Sequence, residues 1–418
     1  MNNIMNKQIV YNLSDVPNFN TLISTGSIPE DEKFFSVKNF TTKSNENYSI
    51  VRYYKEFLNN DMINTYGILR SVILSGSNVV SFSPPKSISA EVFITKYPSK
   101  TENIVAQEFI EGTMINVFFD PAYGANGCWQ IATRNTIGGN VTFYKFTSNK
   151  TFNQMFMDAC NQNNLNIQTL DPRCCYSFVL QHPCNRIVIP IKMPQLYLVG
   201  VYNIVKEMDN IKVIEHDLRD IKNSGIWNLT SVRFPDVYEF DTYNELIEKY
   251  ASGNTKYDTL GVVIRNMTTG ERTKFRNPVY EEVRHLRGNQ PKLQFQYLSL
   301  RHSGKMPEFL KYYPEMKSEM SKYRDMVHVF TENLHKNYIS CYVKKEQKLG
   351  DYPPQFRTHM FKLHEHFINN LRPKGLCIIN TEVIKYVNQL PPSLLMYCLN
   401  INMRKRLIDT IKLDTPKN

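Results

Sequence analysis

Short apolar runs separated by turn residues dominate the chain between residues 51 and 280. The runs at 68–74 and 79–83 flank Gly76, a pattern that predicts two strands joined by a hairpin turn. Strands are also predicted at 114–119, at a run ending at 131–134 and at 196–202, and a helix is predicted at 152–161. This succession predicts a mostly antiparallel α+β domain.

The pattern becomes helical from about residue 281. Apolar residues recur there at steps of three and four, so they form one stripe on a predicted helix: Phe356, Met360, Leu363, Phe367 and Leu371. Further helices are predicted at 308–313, 314–335, 381–390 and 393–408. Prolines between these segments end one helix before the next begins. This part of the chain is therefore predicted to be all-α.

The first fifty residues are polar, with only short apolar pieces between Asn and Ser clusters. We expect a partly ordered lead-in at 1–50, because the apolar content is low. The α+β domain is then predicted at 51–282 and the all-α domain at 283–418.

Charge is concentrated in the predicted helical part. The 418 residues carry 50 Lys+Arg and 39 Asp+Glu, a net charge of +11. From residue 281 onward there are 23 Lys+Arg against 13 Asp+Glu, which gives +10 in that part alone. A basic lobe beside a nearly neutral one favours a polyanion partner, most simply nucleic acid. A solvated, lysine-rich helical surface explains the same excess and stays open as an alternative.

The cysteines and the hydropathy of the chain indicate in which cellular compartment the protein is expected. The eight Cys lack paired metal-site spacing, which favours reduced thiols in a cytoplasmic protein. No run of about 18 apolar residues occurs. Residues 1–10 also lack the apolar centre of a signal peptide. We therefore expect a cytoplasmic protein with no membrane partner.

Five segments between residues 66 and 280 follow one another in a specific order. Each segment alone would be a weak signal, but their order together is informative. They are the hairpin at 68–86, the turn and strand at 108–119, and the segments 176–188, 257–265 and 273–280. Together they resemble the motifs of phage-type RNA ligases, which are covalent nucleotidyltransferases. The resemblance implies an antiparallel-sheet nucleotidyltransferase domain, similar to an ATP-grasp ligase, followed by a helical domain that binds or positions RNA.

Three apolar residues stand where the resemblance implies catalytic ones. Phe109 holds the position of the lysine that carries AMP, and a phenyl ring cannot make that bond. Val179 and Leu260 hold the positions of two glutamates that contact the ribose and a metal ion. We therefore expect a pseudoenzyme with no intact catalytic residue and no metal site.

Polar residues of the same motifs are kept. The candidates for binding a phosphate or a nucleotide are Arg70, Lys86, Glu111, Gly112, Arg134, Lys274 and Arg276. Their charges and hydrogen-bonding groups suit an anionic ligand, with Glu111 placed to orient the basic side chains. The alternative is that these side chains pair with one another as a structural remnant.

The expected function is binding of RNA or a nucleotide, or a structural role in a virus, without ligation. Richness in Asn, Lys, Ile and Tyr fits an AT-rich viral genome, in which case the protein belongs in the host cytoplasm or the virion. Its partners would be RNA or another polyanion, and virion proteins. The alternative is an active ATP-dependent RNA ligase that uses ATP and Mg²⁺, with Lys86, Lys96 or Lys274 as the nucleophile.

A second cluster lies in the predicted helical domain, at His359, His364, Glu365 and His366. At helical spacing His359 and His366 share a face, while His364 lies off it, and the sequence offers no fourth ligand. We expect a solvated helix face here, not a metal site.

Overall fold

The structure, a computed structural model, describes residues 8–42, 44–143, 150–290 and 292–401. The chain divides into two compact units, Met1–Arg284 and His285–Asn418. The division lies close to the predicted boundary at 282–283. The predicted class, antiparallel α+β followed by a helical C-terminal region, is confirmed.

The first unit contains three sheets. Their strands are β1 (Val10–Asn12), β2 (Phe35–Thr41), β3 (Asn47–Tyr53), β4 (Val72–Ser75), β5 (Asn78–Ser81), β6 (Ile104–Glu108), β7 (Thr113–Asp120), β8 (Cys128–Thr133), β9 (Cys174–Gln181), β10 (Gln195–Glu207), β11 (Asn210–Glu215), β12 (Val237–Tyr238), β13 (Gly261–Asn266) and β14 (Arg272–Arg276). A six-stranded sheet has the order β1-β11-β10-β9-β7-β8, and two four-stranded sheets have the orders β12-β6-β13-β14 and β2-β3-β4-β5. The ladders that join these strands are antiparallel.

Helices cover the sheets of the first unit. They are α1 (Phe19–Thr25), α2 (Ile63–Tyr66), α3 (Ala90–Lys96), α4 (Phe152–Gln162), α5 (Leu218–Lys222), α6 (Tyr243–Tyr250) and α7 (Pro278–Arg287), which begins in this unit. The predicted helix at 152–161 corresponds to α4. Thr151 and Gln154 form a capping box at its start, and the buried residues recur at helical spacing, which explains why this segment is helical.

Strand β7 is buried on both faces, which explains its nearly continuous apolar run. Ile115 and Val117 point into one core with α4, whereas Phe118 points into a second core with the β2–β5 sheet. The sheet that holds β6, β13 and β14 has its own core, which includes Phe93 and Val262. Three cores therefore fix the strand ends that form the candidate site.

The structure differs from the expectation for residues 1–50. The described part of this segment forms β1, α1 and β2 and enters β3. Leu13, Phe19 and Phe35 are fully buried in the core shared with Phe118. The described part of the segment is ordered because these apolar residues are spaced so that they reach the core, which a measure of average polarity does not reveal.

The second unit is helical. It contains the end of α7 and helices α8 (Leu293–His302), α9 (Met306–Tyr312), α10 (Lys317–Tyr338), α11 (Pro354–His366), α12 (Asn380–Gln389) and α13 (Pro392–Leu399). Five-residue π-helical turns continue α10 at Ile339–Val343 and α11 at Phe367–Leu371. Residues 402–408 of the helix predicted at 393–408 lie outside the described residues.

The predicted apolar stripe of α11 faces the core of the second unit. Phe356, Met360 and Leu363 are buried, and the Phe356 ring stacks on Phe330 of α10 with centroids 5.2 Å apart. His359 is also buried, which corrects the expectation of a solvated face for this residue. Its ring contacts Tyr386 Oη at 2.8 Å and Cys398 Sγ at 3.2 Å.

Two further features concern the described residues. The eight cysteines all lie among them and are free thiols. None of the described helices combines the length and the apolar character needed to cross a membrane.

Candidate functional site

Phe109 lies in the short connection between two sheets of the first unit. Strand β6 ends at Glu108 in a four-stranded sheet, and β7 begins at Thr113 in the six-stranded sheet. The connection passes close to β9: a Cβ atom added to Gly112 would lie 2.6 Å from Leu180 O and from Val179 Cγ1. A glycine at 112 therefore lets the backbone approach β9 closely.

Basic side chains of β14 cover the Phe109 ring. Lys274 Nζ lies 4.6 Å from the ring centroid, and Arg276 Cζ lies 5.4 Å from it. Both distances suit a cation–π contact. The sequence position of the expected nucleophile is thus occupied by an apolar ring that contacts two cations.

Arg70, Arg272, Lys274 and Arg276 come together here, and we call them the cation cluster. Burial, followed by repulsion from Arg272, Arg70 and Arg276, lowers the pKa of Lys274 to about 6. Burial and repulsion from Arg272 likewise lower the pKa of Arg70, to about 10. The amine of Lys274 is therefore mostly neutral at pH 7 and above.

The partners of the cation cluster are mainly uncharged. Arg70 Nη1 donates to Pro84 O at 3.3 Å and Arg272 Nη2 donates to Pro85 O at 2.5 Å, while Arg276 pairs with Glu281 at 2.8 Å. Within the described residues, Arg70, Arg272 and Lys274 form no ion pair with a carboxylate, and Arg272 Nε is buried without a hydrogen-bond partner. The alternative in which the kept basic side chains pair with kept acids therefore does not describe Arg70 and Lys274.

Glu111 lies in a different environment. Its carboxylate accepts hydrogen bonds from the backbone N–H groups of Val188 and Ile189 at 3.1–3.2 Å and from Tyr280 Oη at 2.6 Å. The side chain is buried, and burial raises the pKa of Glu111 against these hydrogen bonds, which act to lower it. Its hydrogen bonds hold the loop at 188–189 and the start of α7, and its role in orienting the basic side chains stays a prediction.

Val179 and Leu260 lie on strands beside the same connection. Val179 is on β9, opposite Met114 of β7 and Tyr197 of β10. Leu260 immediately precedes β13 and is buried. The described residues contain no group of three or more His, Cys, Asp or Glu side chains that could hold a metal ion. Val179 and Leu260 themselves offer no oxygen ligand for a metal ion.

The remaining basic residues predicted for the site differ in exposure and in the groups that they contact. Arg134 is exposed at the end of β8, with its Cζ 5.4 Å above the Tyr53 ring. Lys86 is half-buried, and burial together with Lys55 lowers its pKa. Lys96 pairs with Glu271 at 2.8 Å and lies outside the cluster. Of the three lysines considered as nucleophiles, Lys274 is the one in contact with Phe109.

Arg272 is a site residue that the sequence analysis missed. It lies on β14, where successive side chains point to opposite faces of the sheet. Thr273 and Phe275 are buried, so Arg272, Lys274 and Arg276 share the other face. Period-two alternation around the predicted residues 274 and 276 would have identified it.

Sequence comparison adds evidence of relationship. No protein-family model matches the chain. An RNA ligase of Rhodothermus phage RM378 is 23% identical over 305 residues, which cover 65% of this chain and 66% of the ligase. The chain is similar to RNA ligases. The resemblance inferred from the five segments is thus confirmed at low identity.

A second relative of this RNA-ligase-like chain is also viral. The Immediate-early protein ICP-46 homolog of Invertebrate iridescent virus 6 is 24% identical over 328 residues, which cover 72% of this chain and 68% of the relative. The chain therefore spans about two thirds of the length of the curated relatives it matches.

Solved structures of ligases resemble the chain with low TM-scores. A Naegleria gruberi RNA ligase, solved as a point mutant with AMP and Mn, has 12% identity and a TM-score of 0.35, over 48% of this chain and 57% of that chain. A putative ATP-dependent DNA ligase from Aquifex aeolicus has 12% identity and a TM-score of 0.36, over 80% and 77% of the two chains.

Proposed function

We propose that this RNA-ligase-like protein binds the phosphate chain of a nucleotide or of an RNA end without forming a covalent bond to it. The observation that supports the proposal is the cation cluster, in which Arg70, Arg272 and Lys274 lack a carboxylate partner among the described residues. Phosphate oxygens would supply the missing negative charge. Arginine in particular matches phosphate through two parallel hydrogen bonds.

Electrostatics explains why such a cluster favours an anion. Bringing like charges together and removing them from water disfavours their charged forms, which is why the pKa values of Arg70 and Lys274 are lowered. A bound anion reverses both effects because it supplies an opposite charge at short range. Binding should therefore be accompanied by proton uptake at Lys274 at neutral pH.

The same residues argue against ligation through the usual covalent intermediate. The ring of Phe109 carries no nucleophilic atom. Val179 and Leu260 provide no oxygen ligand for a metal ion, and Mg²⁺ favours carboxylate and phosphate oxygens. A protein with this set of changes retains groups that bind phosphate and lacks groups that activate it.

One observation favours a second candidate function, adenylyl transfer to Lys274. A pKa near 6 leaves this amine neutral and able to act as a nucleophile at pH 7. Its nitrogen would attack the α-phosphorus of ATP, a P–N bond would form, the P–O bond to the β-phosphate would break and pyrophosphate would leave. The two candidates differ in one observable, a covalent AMP adduct that is present only in the second.

Calorimetric titration with inorganic triphosphate and with ATP tests the proposal. The wild-type chain should bind both, and Lys274→Met and Arg272→Met should each weaken the binding by about tenfold or more. Lys96→Met is the control, because Lys96 has a carboxylate partner outside the cluster. Absence of binding by the wild type would contradict the proposal.

The second unit is proposed to contact RNA or another polyanion through its basic surface. Lys344, Lys345 and Lys348 are exposed next to the π-helical turn that follows α10. Two tyrosines of this unit differ in exposure, which matters because an exposed ring could stack on a base. Tyr313 is buried against Phe309, whereas Tyr342 is half-buried and stacks on His364 with centroids 3.9 Å apart. A structural role in a virus particle is the competing proposal, and the copy number per purified particle would distinguish the two.

A further inference from the structure

Tyr11 of the N-terminal strand β1 is buried and makes contacts at both ends of its side chain. Its hydroxyl donates to Glu215 Oε2 at 2.9 Å and accepts from Arg265 Nη2 at 3.3 Å. Its ring stacks on Phe82, with centroids 5.3 Å apart. Burial and the nearby Glu215 carboxylate raise the pKa of Tyr11, so the hydroxyl keeps its proton and remains a donor. Both ends of this side chain lead to the cation cluster.

The ring of Tyr11 supports the segment that supplies acceptors to two arginines of the cluster. Phe82 contacts the rings of Tyr11 and Tyr202, with centroids 5.3 Å and 5.0 Å away. The carbonyl groups of the two prolines that follow accept from Arg70 at 3.3 Å and from Arg272 at 2.5 Å. A guanidinium group is planar and rigid, so the position of its acceptor fixes its direction. Holding Phe82 in place therefore also holds the acceptors that direct both arginines.

The hydroxyl of Tyr11 supports the hairpin that carries the rest of the cluster. Arg265 and Arg272 lie directly opposite each other on β13 and β14, so they share one face of the sheet and repel each other. Glu215 pairs with Arg265 and thereby offsets one of the two charges. The turn of the same hairpin packs on β1, because a Cβ atom added to Gly270 would lie 2.5 Å from Tyr11 Oη.

We propose that Tyr11 is a positioning residue of the proposed phosphate site. It acts on the anion through Arg70 and Arg272, and it makes docking of β1 a condition for full anion affinity. The inference rests on the proposed phosphate binding and adds control of that site by the N-terminal strand. This control is reciprocal: if docking of β1 strengthens anion binding, a bound anion stabilises the docked strand by the same factor.

Calorimetric titration of the full chain with inorganic triphosphate measures the positioning effect. Tyr11→Leu removes both the ring and the hydroxyl. It should lower the affinity by about tenfold, the size of effect seen when residues that orient metal ligands are removed. Tyr11→Phe keeps the ring and loses the hydroxyl, so its affinity should lie within about threefold of the wild type. A variant that restores the ring should thus restore most of the binding.

Phe19→Leu is the control for damage to the core. Phe19 is fully buried in the same core as Tyr11 and belongs to the same N-terminal segment. The control should unfold at a lower temperature than the wild type and keep the wild-type affinity. Thermal unfolding of each variant gives a titration temperature at which all of them are folded. An equal loss of affinity in Phe19→Leu and Tyr11→Leu would overturn the proposal, since any damage to the core would then weaken the site.

Hydrogen exchange of the β1–β11 ladder measures the reciprocal effect. The Glu215 N–H donates to Ile9 O at 2.9 Å in this ladder, so its exchange reports whether β1 is docked. Saturating triphosphate should slow the exchange in the wild type and slow it less in Tyr11→Leu. Helix α9 of the second unit is the internal control, and its exchange should not respond to triphosphate.

The outcomes separate this inference from the proposed phosphate binding. If the wild type does not bind triphosphate, the phosphate site is wrong and Tyr11 has nothing to position. If Tyr11→Leu binds as well as the wild type, and triphosphate changes the exchange of β1 equally in both, the phosphate site stands and the role of Tyr11 is overturned. Weaker binding by Tyr11→Leu alone, together with slower exchange of β1 in the bound wild type, supports both.

Discussion

Glu111 and the cation cluster lie in the same unit, yet they differ in how their charges are satisfied. Glu111 is buried and receives hydrogen bonds from two backbone N–H groups and a tyrosine. Lys274 and Arg272 are partly buried and have no carboxylate partner among the described residues. A charge that the fold satisfies is a structural element, whereas a charge that the fold leaves unsatisfied indicates a ligand.

This difference also separates the consequences of mutation. Removing a satisfied buried charge leaves its former donors without acceptors, which costs stability. Removing a charge from a crowded cluster relieves repulsion in the free protein. It also removes a contact to a bound anion, so affinity for the anion falls while stability does not. Mutation of Glu111 should therefore lower stability, whereas mutation in the cation cluster should lower anion affinity.

The largest expected effect is on stability, from Glu111→Ala. The N–H groups of Val188 and Ile189 and the hydroxyl of Tyr280 would lose their acceptor inside the protein. We expect a loss of about 3 kcal/mol in the free energy of unfolding. Glu207→Ala is the control, because this exposed glutamate pairs with Lys212 and should contribute less than about 1 kcal/mol. Denaturant titration measures both, and equal losses would remove the distinction drawn here.

A carboxylate placed inside the cluster should prevent anion binding. In Phe109→Glu, the new carboxylate would lie close to Lys274 and Arg276 and act as an internal counter-ion. The affinity for inorganic triphosphate should fall by about tenfold or more. Phe109→Leu removes the ring without adding charge and should keep most of the binding. Calorimetry decides the matter, and undiminished binding by Phe109→Glu would place the anion elsewhere.

Lys274→Met should make the protein more stable in a pH-dependent way. The folded-state pKa of Lys274 is about 6, below the ordinary value of 10.5, so the unfolded chain binds more protons between these pH values. The penalty from Lys274 is complete below pH 6 and disappears as the pH approaches 10.5. The variant should therefore be more stable than the wild type at pH 6–7 and nearly equal to it in stability near pH 10.

Lys96→Met is the control of opposite sign. The hydrogen bond and ion pair with Glu271 raise the pKa of Lys96, so its contribution is favourable while the amine is charged and is lost at high pH. This variant should be slightly less stable than the wild type at pH 7. Unfolding curves of both variants at pH 6, 8 and 10 give the comparison, and a pH-independent effect of Lys274→Met would contradict the account.

The smallest expected effect concerns the basic surface of the second unit. Reversing Lys344, Lys345 and Lys348 to Glu should lower RNA affinity by about threefold near physiological salt and make its salt dependence less steep. Lys322→Glu is the control, because Lys322 is paired with Glu319 on α10. A salt titration that gives the same slope for wild type and triple variant would exclude this surface from RNA binding.

Much of the fold and the identity of the changed motif residues could be predicted from the sequence. Strand β7, helix α4 and the stripe of α11 followed from local periodicity, which is a short-range property. The segment before residue 50 did not, because Phe19 and Phe35 reach a core built by distant strands. The N–H groups that donate to Glu111, those of Val188 and Ile189, lie in an irregular segment. No sequence periodicity there indicates where a backbone N–H group points. The lowered pKa of Lys274 likewise depends on Arg70, which is about two hundred residues away in the sequence.

Equilibrium binding of ATP labelled at the α-phosphate, followed by denaturation of the same sample, tests the central claim most directly. The cation cluster should hold labelled ATP on the native protein, and denaturation should release all of it, because Phe109 provides no atom for a covalent bond. Label that remains on the denatured chain and is absent from Lys274→Arg would show adenylyl transfer. Label that never associates with the native protein would show that the unsatisfied charges do not form a phosphate site.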